Sequence, residues 1–177
     1  MSPRHVTTES EYLTGIFRDR ASAERAYDAL VRHGYTHEEI NVIMSEETRK
    51  RYFTGKPETG SKAAEGGLAG AAVGGAAGAI AGALALAGTL AIPGIGIVLA
   101  GPLAAALAGL GAGAATGGLV GALIGSGIPE EHAKTYEMDV KTGNILLSVR
   151  PRSDRDAHYI EDVLREYGEV RFSHHHD

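Results

Sequence analysis

Two glycine-rich runs decide how this chain folds: GGLAGAAVGGAAGAIAG, residues 66–82, and GLGAGAATGGLVGALIG, residues 109–125. In both runs a glycine returns at every fourth residue. These positions are Gly66, Gly70, Gly74, Gly78 and Gly82 in the first run and Gly109, Gly113, Gly117, Gly121 and Gly125 in the second. Residues four apart lie on one face of a helix, so each run predicts a helix with a face that is free of side chains and suited to close packing.

Proline and glycine interrupt the helical pattern between the two runs. The interrupting residues are Pro93, Gly94, Gly96, Gly101 and Pro102. Both residue types disfavour a helix interior, so the sequence predicts one helix over residues 66–92, a turn, and a second helix over residues 102–126. We therefore expect a Gly/Ala-rich helical hairpin over residues 66–128, whose glycine grooves pack either arm to arm or chain to chain.

The hairpin region is uncharged throughout. Its 64 residues from Gly66 to Pro129 include no Asp, Glu, Lys, Arg or His, and each predicted arm is long enough to cross a hydrocarbon core of ~30 Å. Against insertion, alanine and glycine supply little insertion energy, and no Trp or Tyr marks a membrane interface. We favour association with the lipid bilayer, with both termini in the cytoplasm. The alternative is a cytoplasmic soluble oligomer whose hairpins form its core.

Residues 10–53 show the pattern strand, helix, strand. Residues 12–17 are rich in aromatic and branched side chains, and residues 40–45 alternate apolar side chains as a half-buried strand does. Between them, residues 23–31 place an apolar stripe on one helix face, with Asp19 as its expected N-cap and Gly34 as its end.

Residues 129–173 repeat that pattern after one additional helix. Pro129 is expected to open the additional helix, and residues 145–149 (ILLSV) form the strongest strand pattern in the chain. Ser153 begins the next helix with a near capping box, and Val170 and Phe172 alternate in a last short strand.

The two halves together predict one α+β domain. Their order, βαβ followed by βαβ, is ferredoxin-like, and each half alone would bury too little surface to fold. The predicted organisation is a ferredoxin-like domain made of residues 10–53 and 129–173, interrupted by the linker 54–65 and the hairpin 66–128, with a tail at 174–177.

Composition excludes several functions. The chain has no cysteine, which excludes thiol chemistry, and its net charge of −5 gives no basic field for nucleic acid. No nucleophile stands beside a base and no phosphate loop follows the glycines, so we expect no enzyme, no cofactor and no metal site. His33 and His37 are interpreted as exposed turn residues.

Two weaker signals receive simple interpretations. Arg49-Lys50-Arg51-Tyr52-Phe53 interleaves bases with aromatic rings, but Glu46 and Glu47 offset the charge and favour a solvated helix end. The tail His174-His175-His176-Asp177 is interpreted as a terminal segment without partner ligands elsewhere.

The arrangement resembles a known family. The segments YLTGIF (12–17), INVIMSEETRKRYF (40–53), IPGIGIVLAGPLAAALAG (92–109) and GIPEEHAKTYEMDVKTGNILLSV (127–149) are similar to bacterial proteins with the heat-induced general stress protein domain. In that family a glycine-zipper segment splits a small α/β domain. The resemblance implies a general stress protein of a kind often predicted to be membrane-associated, and it supplies no catalytic residues.

The expected function follows from these points. We expect a non-enzymatic stress protein whose glycine hairpin mediates membrane association and homo-oligomerisation, while the α/β domain serves as a contact module. The alternative is a soluble homo-oligomeric assembly or a small-ligand sensor.

Overall fold

The computed structural model describes residues 12–53, 80, 83–84, 90–92, 96–109, 114–125 and 128–171. These residues form an α+β structure, which confirms the predicted class. The strands are β1 Leu13–Phe17, β2 Ile40–Ser45, β3 Leu90–Ile92, β4 Ile97–Ala100, β5 Ile145–Val149 and β6 Glu169–Arg171. The helices are α1 Arg20–Arg32, α2 Glu46–Phe53, α3 Pro102–Gly109, α4 Ala114–Gly125, α5 Glu130–Lys141 and α6 Asp154–Tyr167.

The six strands form one antiparallel sheet in the order β3-β4-β2-β5-β1-β6. The strands of the two halves of the chain alternate in its centre. Val149 of β5 is opposite Leu13 of β1 on one side and Ile40 of β2 on the other. Because β5 separates β1 from β2, and β1 separates β5 from β6, neither half forms a strand pair by itself.

One face of the sheet is covered by α1 and α6. Both helices begin at the predicted caps: Asp19 accepts a hydrogen bond from the amide of Ser22 at 2.8 Å, and Ser153 accepts one from the amide of Asp156 at 3.2 Å. Such caps contribute about 1 kcal/mol each. Their apolar faces bury residues such as Leu30 and Ile160 against the sheet.

The other face is covered by α3, α4 and α5. Leu103, Leu119 and Tyr136, one from each helix, lie in one buried cluster with Ile43 and Leu146 of the sheet. The glycine-rich block therefore contributes a layer to the core of the domain itself.

The predicted helix over 66–92 agrees with the structure at Ile80, Ala83 and Leu84, which are helical, but it is wrong at its end, and so is the turn that follows it. Leu90–Ile92 and Ile97–Ala100 are strands, and β4 pairs with β2, with Leu99 opposite Ile43. Val98 and Ala100 enter the core under α1, whereas Ile97 and Leu99 enter the core under α5. A strand buried on both faces is a continuous apolar run, which periodicity cannot distinguish from a buried helix.

The predicted second arm, 102–126, is also not one helix. It is divided into α3 and α4, and Gly118 inside α4 has the non-helical angles φ 59° and ψ −160°. Glycine adopts a positive φ without steric cost, so Gly118, which lies between the predicted packing glycines Gly117 and Gly121, interrupts the predicted helix. Gly66, Gly70, Gly74, Gly78, Gly82, Pro93, Gly94, Gly113, Phe172 and residues 174–177 lie outside the described residues.

Leu90–Ile92 of the first arm form an edge strand of the sheet, and the described helical residues of the two arms lie on opposite faces of that sheet. Ile80 and Ala83 belong to the core under α1, whereas Leu103 and Leu119 belong to the core under α5. The sheet lies between these residues, so they do not pack arm to arm.

Within the described ranges, none of the helices combines the length and the apolar character needed to cross a bilayer. The α4 helix has 12 residues, about 18 Å at 1.5 Å per residue. This finding overturns the expected membrane-associated localisation with both termini in the cytoplasm. The physical reason is that strands and the break at Gly118 divide the apolar block.

Candidate functional site

Gly121 and Gly125 of α4 face away from the sheet. Leu119 and Leu123 are buried toward the sheet, while Gly121 and Gly125 are exposed on the opposite side of the helix. A Cβ atom placed on either glycine would meet nothing within 4 Å, and Ile124 beside them is 43% exposed. We call Gly121, Ile124 and Gly125 the outer face of α4; it is uncharged and open to a partner.

The other predicted packing glycines in the described part of the chain are not on this face. Gly109 ends α3. Gly117 precedes the break at Gly118. The helix is therefore not continuous between Gly117 and Gly121, and Gly117 does not continue the row formed by Gly121 and Gly125. Of the four predicted packing glycines that lie in the described ranges, the structure brings together two, Gly121 and Gly125.

Gly101 occupies the tightest position of the predicted turn. Its φ is +97°, and a Cβ atom there would lie 2.4 Å from the carbonyl oxygen of Ile40. Only glycine fits where β4 passes β2 and enters α3, with Pro102 as the first residue of that helix. Gly96, with φ +68°, accepts a hydrogen bond on its carbonyl from the amide of Glu46 at 2.6 Å.

Asn41 ties the glycine-rich layer to the sheet. It is fully buried in β2, where its Oδ1 accepts a hydrogen bond from the amide of Leu103 at 2.8 Å and its Nδ2 donates to the carbonyl of Ser148 at 3.2 Å. Asn41 thus caps α3 from the neighbouring strand. Thr14 extends this buried polar row by donating to Ser148 Oγ at 3.1 Å. The sequence gives no sign of this role, because Asn41 appears only as the polar position of a strand.

A buried carboxylate anchors the other end of the glycine-rich block. Glu24 in α1 is 1% exposed, and its Oε2 accepts a hydrogen bond from the amide of Ile80 at 2.9 Å. Its Oε1 lies 3.4 Å from Nε of Arg20, which donates through Nη1 to the carbonyl of Tyr52 at 2.5 Å. The Arg20 guanidinium also lies over the ring of Phe53. Phe53 and Ile80 therefore both lie beside the N-terminal part of α1.

The charge of Glu24 also affects the pKa of the neighbouring Tyr27 hydroxyl. Burial raises the pKa of Tyr27 above its ordinary value, and the nearby carboxylate of Glu24 adds to the shift. The Tyr27 hydroxyl is 2.7 Å from Nδ1 of His37, one of the two histidines that the sequence places in an exposed turn. The sequence could not find this anchor, because Arg20 and Glu24 look like an ordinary exposed i,i+4 pair.

A polar and aromatic cluster joins the two halves of the chain. We call it the seam; it consists of His33, Tyr35 and Glu39 from the first half and Arg152, Asp156 and Tyr159 from the second. The rings of His33 and Tyr159 stack with centroids 3.7 Å apart, and the Arg152 guanidinium lies 4.2 Å from the centroid of the Tyr35 ring. Asp156 accepts a hydrogen bond from the Tyr35 hydroxyl at 3.3 Å and is 3.1 Å from Nε2 of His33.

Contacts within the seam shift the pKa values of Tyr35, Glu39 and Arg152. Burial raises the pKa of Tyr35, and the charge of Asp156 adds to that shift. The hydrogen bond from Arg152 holds the pKa of Glu39 below its usual value. In the sequence His33 is interpreted as an exposed turn residue, and only the fold supplies its stacking partners.

The basic and aromatic run predicted as a helix end lies in α2. Lys50 is 2.8 Å from Glu46, and Arg51 is 3.2 Å from Glu47. Lys50 also lines an open groove of about 420 Å³ with Ser45, Gly96 and Lys141. Lys141 pairs with Glu137, so both groove lysines have carboxylate partners. Across the described ranges no three His, Cys, Asp or Glu side chains form a group able to hold a metal ion.

The geometry defines an α+β protein whose glycine-rich layer covers one sheet face and presents an uncharged outer surface. No family model, curated protein or solved structure matches this chain. The resemblance to the general stress family therefore stays a prediction.

Proposed function

We propose that the protein is a non-enzymatic general stress protein that forms homo-oligomers through the outer face of α4. The observation that carries this proposal is the orientation of Gly121 and Gly125, which are exposed beside the half-exposed side chain of Ile124. The remainder of the α+β domain acts as the scaffold that holds this face toward a second copy.

Two copies of this face suit each other. Helices that meet at glycine approach more closely than the usual 8–10 Å, which increases the van der Waals contact between their backbones. A symmetric dimer would use the same surface on both copies and would bury Ile124 twice. With no charge on α4, such a contact requires no ion to be desolvated.

The free energy of the isolated layer supports the same proposal. Gly121, in the interior of α4, costs about 1 kcal/mol relative to alanine. Among the α4 side chains that the structure describes, Leu119 and Leu123 are fully buried within one chain. A second copy would offset part of the remaining cost.

We further propose that the scaffold is a ferredoxin-like domain with an inserted glycine-rich block. The order β2-β5-β1-β6, the crossovers through α1 and α6, and the position of both helices on one face support this assignment. In this arrangement α3, α4 and α5 cover the sheet face that would otherwise be open. Because that face is covered, we do not propose a ligand sensor that binds its ligand there.

The test is the molar mass of the purified chain by light scattering. Gly121→Leu fills the outer face without a clash inside the monomer, since a Cβ there meets nothing within 4 Å. We expect the native chain to be an oligomer and Gly121→Leu to be a monomer of 18.4 kDa.

Ala105→Leu, at an exposed position of α3, is the matched control, and it should keep the native mass. A monomeric native chain, or an oligomer that survives Gly121→Leu, would reject the proposal.

A further inference from the structure

The outer face of α4 is too small to hold two copies together by itself. With 12 residues α4 is about 18 Å long, and a helix is about 10 Å across, so this face offers roughly 200 Å². Stable interfaces bury about 800 Å² on each partner. A self-contact through α4 therefore has to continue onto a neighbouring element.

The neighbouring helix α5 presents a large apolar side chain on its outer side. Tyr136 and Val140 of α5 are buried in one cluster with residues of the sheet. Met138 is two positions from each of them, about 200° round the helix, so it points away from the sheet. The Met138 side chain is accordingly exposed, at 67%.

Met138 and Ile124 are the two large apolar side chains that are exposed among the described residues. Single exposed apolar side chains are common on protein surfaces, but these two lie on helices that pack against each other. The other neighbour of α4 is α3, where the exposed Ala105 offers only a methyl group. Continuation onto α5 therefore adds more apolar surface to the contact than continuation onto α3.

The charges around Met138 do not oppose such a contact. Lys134, one turn before it, is 2.6 Å from Glu130, and Lys141, one turn after it, pairs with Glu137. Each lysine is thus neutralised within its own chain and can stay at the solvated rim of an interface. A methionine side chain is long and flexible, so it can adapt to the shallow surface of a glycine-containing helix.

We infer that Met138 is a second apolar anchor of the self-contact, and that the partner which covers it is a second copy of this chain. In the assembly Met138 lies at the flank of the α4–α4 contact and packs on the uncharged α4 of the other copy. The inference rests on the proposed function, because it extends the α4 contact onto α5.

The dissociation constant of the full-length chain, measured by light scattering over a dilution series, tests the inference. Met138→Gln keeps the length and the helix propensity of the side chain but makes it polar. We expect self-association to weaken at least tenfold, because the apolar burial of Met138 is lost in every copy. Met138→Leu is the matched control, and its dissociation constant should stay within about threefold of native. Since Met138 is exposed, circular dichroism should show an unchanged fold in both variants.

An unchanged dissociation constant in Met138→Gln would overturn the inference, and so would equal weakening in Met138→Gln and Met138→Leu. Gly121→Leu, measured beside them, separates this failure from failure of the proposed function. If Gly121→Leu is monomeric while Met138→Gln associates like the native chain, the α4 contact stands and its extension onto α5 is wrong. If Met138→Gln weakens an oligomer that survives Gly121→Leu, the α4 contact is wrong and Met138 still marks the interface. A monomeric native chain would overturn both.

Discussion

At the scale of single residues, two glycines with nearly equal backbone angles have different surroundings. Gly34 has φ +106° and open space around its Cα, whereas Gly101 has φ +97° and the Ile40 carbonyl in the position of a Cβ. Gly34 is required only for its positive φ, whereas Gly101 is required both for its positive φ and because there is no room for a Cβ atom.

Alanine substitution should separate these two requirements. We expect Gly34→Ala to lower the free energy of unfolding by about 1 kcal/mol, the cost of a left-handed backbone. Gly101→Ala should lower it by about 3 kcal/mol or more, because β2 and α3 must also move apart. Urea denaturation of both variants measures the difference. Equal losses of unfolding free energy in the two variants would contradict the close approach of Gly101 to the Ile40 carbonyl.

Glu39 gives a pH-dependent prediction at the same scale. The hydrogen bond from Arg152 lowers its folded-state pKa, so its stabilising effect is present above the ordinary Glu value of 4.5 and is lost as the pH falls through the folded value. Glu39→Gln should therefore reduce stability at pH 7, by less than about 1 kcal/mol because the pair is partly exposed. The deficit should shrink as the pH falls below 4.5 and disappear once the pH is below the folded-state pKa of Glu39.

Denaturation midpoints of the native protein and of Glu39→Gln, measured between pH 3 and 7, check this dependence. The expected difference in unfolding free energy at pH 7 is on the order of a few tenths of a kcal/mol. The adjacent Glu38→Gln serves as the control, since the structure gives Glu38 no ion pair among the described residues. A deficit that is the same at both ends of the range would contradict the role of the Arg152 pair.

At the scale of elements, the sequence predicted the two halves well and the central block poorly. The caps at Asp19 and Ser153 and the strand at Ile145–Val149 are local signals, and the structure confirms all three. The strand Ile97–Ala100 depends on a partner from far along the chain, β2, and its apolar side chains enter two cores. No local periodicity reveals such a strand.

A charge placed in β4 should distinguish a buried strand from the turn that the sequence predicts. Val98 is fully buried, so Val98→Asp should cost more than about 3 kcal/mol or prevent folding, because the new carboxylate has no partner. Its cross-strand neighbour Ala91 is exposed on β3, and Ala91→Asp should cost less than about 1 kcal/mol. Thermal melts of both variants provide the comparison. If Val98→Asp is tolerated, the buried strand is wrong and the turn predicted from the sequence is favoured.

At the scale of the whole molecule, the glycine-rich block is attached to both faces of the sheet. Glu24 anchors Ile80 on one face, and Asn41 caps α3 on the other. Neither attachment was predictable, because each pairs a backbone amide of the block with a side chain whose burial only the fold creates. The outer face of α4 was predictable as a run of glycines, but its direction depends on which side of the helix Leu119 and Leu123 bury.

The most direct test of the central claim, that α4 outer faces of two copies meet, uses the absence of cysteine from the chain. A single cysteine at an α4–α4 contact can form a disulfide only if the two Cα atoms come within about 7 Å. Gly121→Cys should therefore yield, on mild oxidation, a covalent dimer of twice 18.4 kDa, while Ala105→Cys on α3 should remain mostly a single chain. A Gly121→Cys protein that stays at 18.4 kDa, or cross-links no faster than Ala105→Cys, would contradict the account.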